Sequence, residues 1–173
     1  MIYGNKEGIR DSLLAKLEML YDIEIPAEVF APAELLDVLA AFTCAINREI
    51  SIYVSRSGEV LDITIGGVSS VELKDMHLRR NTKRLSMVRC IHTHPGGNPQ
   101  LSDVDISSLR AMRFDAMAAV GAKDGHATGI QSAFLGEYVG GMNRVHLTDI
   151  VSVHKLPQRA WMDAIERADS EAL

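Results

Sequence analysis

The residues best suited to chemistry lie in one stretch, Cys90-Ile-His-Thr-His-Pro-Gly-Gly-Asn-Pro-Gln-Leu-Ser-Asp-Val-Asp105, which carries two histidines, a serine and an aspartate at short intervals. Imidazole nitrogen and carboxylate oxygen are zinc donors, and a hydrolytic zinc site uses three protein ligands so that the fourth position can take water. His92, His94 and Asp105 supply that count. Zinc lowers the pKa of such a water to about 7 and polarises a carbonyl, which makes hydrolysis of an amide feasible at neutral pH. A nearby carboxylate would take the water's proton and pass it to the leaving amine. Ser102 is placed to donate a hydrogen bond to the oxyanion of the tetrahedral intermediate.

The surrounding pattern must bring these groups together. Met87 to Ile91 is an apolar run that predicts a buried strand, and Pro95 to Pro99 is dense in Gly, Pro and Asn, which predicts a loop. His92 and His94 leave the strand end on one face, because side chains two apart in extended chain point the same way. Ser102 then caps a helix through Ser108, Leu109 and Met112, with Asp105 in its first turn. Ser102-x-x-Asp105 is also a capping box that needs no metal, and the two uses are compatible, since a carboxylate there faces the positive end of the helix either way. His-x-His alone could be two polar residues at a strand end; its spacing to Asp105 is what points to a metal pocket. Cys90 fits a small buried hydrophobe and stays outside the ligand set, and His77, His126, His146 and His154 have no metal spacing.

Upstream, Ile9, Leu13, Leu14, Leu17, Leu20 and Tyr21 recur at helical steps, and Leu35, Leu36, Leu39, Phe42 and Ile46 form the apolar side of a second helix from Pro32 to about Asn47. Ile50, Ile52 and Val54 then alternate, Arg56-Ser-Gly58 turns, and Val60 to Ile65 extends again, which predicts a hairpin. Ser69 to Leu73 offers a short strand, followed by a polar segment from Lys74 to Ser86. After the central helix, Met117 to Ala122 and Gly129 to Leu135 flank the turn Lys123-Asp-Gly125. Tyr138 to Asn143 reads as a Gly-rich loop, Val145 to Val153 as a last strand, and Gln158 to Ala172 as a closing helix with Trp161 and Ile165 on one side. The expected class is α+β, a mixed sheet flanked by helices, in one domain over residues 1–173.

With 173 residues, 47% of them hydrophobic, the chain can bury a real core. A net charge of −5 leaves no overall basic footprint for nucleic acid or membrane, although the cluster Arg79, Arg80, Lys83 and Arg84 could meet RNA locally or form a solvated face. Two distant cysteines, Cys44 and Cys90, suit reduced thiols, and neither a signal core nor a membrane-length apolar run is present, so the expectation is a cytoplasmic protein with no membrane partner.

The pattern His92-Thr-His94-Pro95, six residues, Ser102, two residues, Asp105 resembles the signature of the JAMM/MPN metallopeptidases. Gly97 and Pro99 within the loop make it similar to the RadC-like branch. The resemblance spans roughly residues 40 to 135 and implies a JAMM/MPN-like fold with cytidine-deaminase-like layering, zinc on His92, His94 and Asp105, and Ser102 at the oxyanion. It also implies a peptide or isopeptide substrate. In that superfamily a Glu ahead of an earlier strand acts as general base, and Glu49, before Ile50 to Val54, is its counterpart, although by itself it is also an ordinary residue at a helix C-terminus.

A longer resemblance runs through Gly4-Asn5, Gly8-Ile9-Arg10, Leu20-Tyr21, Ile46-Asn-Arg-Glu49, Arg84-Leu-Ser86, Arg89 to Pro95 and Phe114-Asp-Ala-Met117. It is similar to the extra N-terminal module of some bacterial HflX-type GTPases, proteins that act on ribosomes. No G-x-x-x-x-G-K-[ST] phosphate loop is present, so this chain is not expected to be a GTPase. The second functional expectation is therefore a non-catalytic accessory module that contacts ribosome or RNA.

Overall fold

The computed structural model describes residues 1–66 and 85–171. Its elements run β1 (Ile2–Gly4), α1 (Asp11–Glu18), α2 (Ala33–Ile46), β2 (Ile50–Ser55), β3 (Val60–Ile65), β4 (Val88–Pro95), α3 (Asp103–Met112), β5 (Ala116–Lys123), β6 (His126–Val139), β7 (Met142–Leu147) and α4 (Ala160–Glu171). The seven strands form one sheet in the order β1-β3-β2-β4-β5-β6-β7, parallel at β1/β3 and β4/β5 and antiparallel elsewhere. The fold is α+β with a mixed sheet.

β4 is the strand that organises the site, and its alternation sorts side chains between two layers. Arg89 and Thr93 point to the face covered by α2 and α4. The Arg89 guanidinium sits 4.6 Å from the centre of the Trp161 ring on α4, and the Thr93 hydroxyl hydrogen-bonds Thr43 on α2. Cys90, His92 and His94 point to the opposite face, where α3 lies. Parallel β4 and β5 cannot be joined by a tight turn, so α3 makes the crossover and its first turn lands beside the end of β4.

The helices are held by apolar burial. Leu35, Leu36, Leu39 and Ala40 of α2 are buried, as are Trp161 and Ile165 of α4. Phe30 meets both Phe134 and Trp161 edge-on, with ring centroids 6.1 Å apart in each pair. Full burial of such side chains contributes about 1.5–3 kcal/mol each. Arg89 is buried with them, yet its Nε donates to the Phe30 carbonyl at 3.0 Å, Nη1 to Ser55 at 2.9 Å and Nη2 to Val29 at 3.2 Å. Burial lowers its pKa to about 10, against the opposing pull of Asp115, so it remains a cation at neutral pH.

Most expected elements form, with several corrections. The β2–β3 hairpin and α2 match, and α2 ends at Asn47 in the left-handed conformation. β4 is longer than the apolar run: ladder pairing with β5 continues through His94 and Pro95, so both histidines lie inside the strand. Tyr138 and Asn143 are not loop residues; β6 and β7 extend through them and meet at Gly140-Gly141, where both residues have positive φ. β7 stops at Leu147, and only an isolated bridge from Ile130 to Val151 and a 3-10 turn at Val153–Lys155 follow, so the expected strand to Val153 does not form. β1 carried no sequence signal, because three residues are too few to show a period. The expected strand at Ser69 to Leu73, most of the polar segment after it, and the cluster Arg79, Arg80, Lys83 and Arg84 fall outside the described residues.

Cys44 and Cys90 are both free thiols. No described helix is long and apolar enough to cross a membrane.

Candidate metal centre

His92 and His94 reach the same point because β4 stays extended through both, and Asp105 reaches it from the first turn of α3. One ligand atom from each residue lies within 4.8 Å of the others. His92 Nε2 is 3.0 Å from His94 Nε2 and 3.2 Å from Asp105 Oδ1, and His94 Nε2 is 3.7 Å from Asp105 Oδ2. A tetrahedral zinc ion with bonds of about 2.0–2.1 Å needs its donors roughly 3.3 Å apart, so the three groups fit a metal without rearrangement of the backbone. His92 is fully buried, Asp105 nearly so, and His94 is partly open.

Two devices prepare these donors. The other ring nitrogen of His94, Nδ1, lies 3.0 Å from the Asn98 carbonyl. A carbonyl can only accept, so Nδ1 carries the proton and Nε2 presents its lone pair to the centre. Asp105 is set by the capping box. Ser102 N and Ser102 Oγ both donate to Asp105 Oδ2 at 2.7 Å, and Asp105 N donates back to Ser102 Oγ at 3.1 Å. Burial alone would raise the Asp105 pKa; the His92 hydrogen bond and charge, with the two Ser102 bonds, outweigh it and hold the carboxyl well below the usual range. It is an anion with Oδ1 directed at His92.

The loop between ligands is packed from below. Thr128 Oγ1 donates to the Gly97 carbonyl at 2.6 Å, and Gln131 Oε1 accepts from Leu101 N at 2.8 Å, one residue before the cap. Gly121 pairs with His94 across the β4–β5 ladder, and a Cβ there would collide with Thr128 Oγ1 and the Gly97 carbonyl. Only glycine lets this loop cross the strand beside the histidine.

Glu49 does not join the converging group. It precedes β2 and is half-buried, and its carbonyl accepts from Gly66 N at 2.9 Å. Ile50 N donates to Thr93 Oγ1 at 3.0 Å, which ties this segment to the strand of ligands. The β2–β4 pairing begins at Ser51 and His92, and Glu49 lies two residues before Ser51, outside the ladder. Ser102 is brought to the site, but its proton is engaged by Asp105. Cys90 is fully buried, and burial pushes its thiol pKa far up, which agrees with its exclusion from the ligands.

Sequence reasoning did not find the supports Asn98, Gly121 and Gln131. Asn98 acts through its carbonyl, which any residue carries. Gly121 sits in an alternating apolar run where one more small residue draws no attention.

No family model and no curated protein matches this chain.

Proposed function

We propose that this protein is a zinc-dependent hydrolase of the JAMM/MPN type that cleaves a peptide or isopeptide amide bond. The observation that carries the reading is the prepared set of donors: a His94 tautomer fixed by Asn98, an anionic Asp105 fixed by Ser102, and His92 between them at 3.0 and 3.2 Å. A crossover helix that delivers the aspartate beside a His-x-His strand supports the JAMM-like layering.

When bound, zinc would supply a water acidic enough to ionise near neutral pH and an electrophile for the scissile carbonyl. His92, His94 and Asp105 would hold the ion, with His94 the most open of the three to solvent. Glu49, two residues before the Ser51–His92 pair, would serve as the general base and return the proton to the leaving amine. Ser102 would turn its hydroxyl from Asp105 to the oxyanion as charge develops there.

The engaged Ser102 proton also favours a second reading, in which the metal pocket is structural and the chain is an accessory module related to that of HflX-type GTPases, with ribosome or RNA as partner. Metal analysis and turnover distinguish them. The wild type should hold about one equivalent of zinc after gentle purification and reloading, while His94→Ala and Asp105→Ala should hold less than a tenth. Glu49→Gln should keep the metal and lose cleavage across a library of peptides and isopeptides. Metal-free wild type sinks both metal readings. Cleavage unaffected by Glu49→Gln rejects that residue as base, and a metal-loaded wild type inert toward the library leaves the accessory reading standing.

A further inference from the structure

Beside the metal centre lies a cluster of buried polar atoms with no well-formed hydrogen bond, His92 Nδ1, Ser51 Oγ, Tyr53 Oη and Thr64 Oγ1, in which the Tyr53 hydroxyl lies close to Ser51, Thr64 and Cys90. Buried polar atoms are nearly always paired, so four in one place call for a cause. The ladder makes them contiguous. Ser51 pairs with His92 on one side and with Thr64 on the other, and Tyr53 is two residues along the same face. All four residues belong to the α3 side of the sheet, and none is more than 3% exposed.

From this we infer that Ser51 is the positioning residue for His92, accepting a hydrogen bond from its Nδ1–H directly or through one internal water when metal occupies Nε2. The inference rests on the metal reading above. Side chains directly across an antiparallel ladder have Cβ atoms about 4.5–5.5 Å apart, which puts a serine hydroxyl within a rotamer change of the imidazole Nδ1. A metal-bound histidine carries its proton on the distal nitrogen and almost always donates it. Among the described residues, the only polar side chain opposite His92 on β2 is Ser51, and on β5 it is Ala119 that stands opposite.

A hydroxyl suits both states of the site. Without metal, His92 Nε2 keeps its proton and faces Asp105 Oδ1, so Nδ1 carries a lone pair, and no hydrogen bond joins it to the Ser51 hydroxyl. With metal, the proton moves to Nδ1, and Ser51 accepts its hydrogen bond while donating onward to Thr64 or Tyr53. A buried carboxylate would be repelled by that lone pair, whereas a neutral hydroxyl tolerates both states.

The test compares zinc affinity with the stability of the metal-free protein. Ser51→Ala should weaken zinc binding about 10- to 100-fold in competition with a chromophoric chelator. It should leave the metal-free melting temperature unchanged or slightly higher, since the hydroxyl it removes makes no well-formed hydrogen bond. Ser51→Thr should recover most of the affinity. Nitrogen-15 NMR on the zinc-loaded wild type gives a readout that needs no variant: the His92 proton should reside on Nδ1 and exchange slowly with water. Zinc affinity in Ser51→Ala within twofold of wild type, or a rapidly exchanging Nδ1 proton in the wild type, overturns the assignment while sparing the metal centre. A wild type that takes up no zinc overturns both.

Discussion

The two faces of β4 solve the burial of polar groups in opposite ways. On the side of α2 and α4, Arg89 places its guanidinium on three carbonyls and a tryptophan ring, and Thr93 bonds both Ile50 and Thr43. Both of these β4 side chains find partners inside the fold, although Trp161 Nε1 above them is buried without one. On the side of α3, His92 Nδ1, Ser51, Tyr53 and Thr64 are buried with no well-formed hydrogen bond, and three ligand atoms face one another instead of a core. On the first face the polar side chains of β4 are paired as folded, and on the second they stand around a group that could hold a metal ion. A strand shared by both lets a rigid layer hold a site whose polar groups are not yet satisfied.

The sharpest way to break this contrast is to cut into the satisfied face. Arg89→Ala should cost roughly 3–5 kcal/mol in urea denaturation, because three carbonyls lose their donor and Trp161 loses its stacking partner. A loss under about 1 kcal/mol would mean that this face is not the structural one. Gly121→Ala lies between the faces and should cost about 1–3 kcal/mol through overpacking against Gly97 and Thr128, with a fall in zinc affinity as the loop carrying Asn98 shifts.

Acid titration probes the ligand face. The Asp105 pKa is depressed in the folded protein, so its contribution is fully present above the unfolded value of about 3.9 and is lost as pH falls through the folded value. The stability gap between metal-free wild type and Asp105→Asn should therefore be widest above about pH 4 and shrink toward pH 2. A gap that does not change with pH would remove the anionic role assigned to this carboxylate. The smallest effect is expected from Tyr53→Phe, which deletes a buried hydroxyl with no well-formed hydrogen bond and should change metal-free stability by less than about 1 kcal/mol, with a gain as readily as a loss. A large loss would show that the α3 face is satisfied after all.

Local patterns were legible where a period and a stop signal coincide. Pro32 and Asn47 bracket α2, Asp124-Gly125 closes β5 onto β6, and Ser102 with Asp105 announces α3 through its cap. The convergence of the three candidate donors was legible for the same reason, since His92 and His94 share a strand face and Asp105 sits a fixed distance into the next helix. The β6–β7 hairpin was read as a loop because Gly140-Gly141 obscures the alternation around it, and strand pairing there extends past what propensity alone supports.

The sequence by itself determined which donors stand close along the chain and which conformation carries each, because capping and alternation act over a few residues. Only the tertiary structure decided what stands beside them. Ser51 opposite His92, Gly121 under the loop and Trp161 over Arg89 are consequences of strand register and layer packing. Those pairings join residues dozens of positions apart, and their energy comes from burial that no local pattern records.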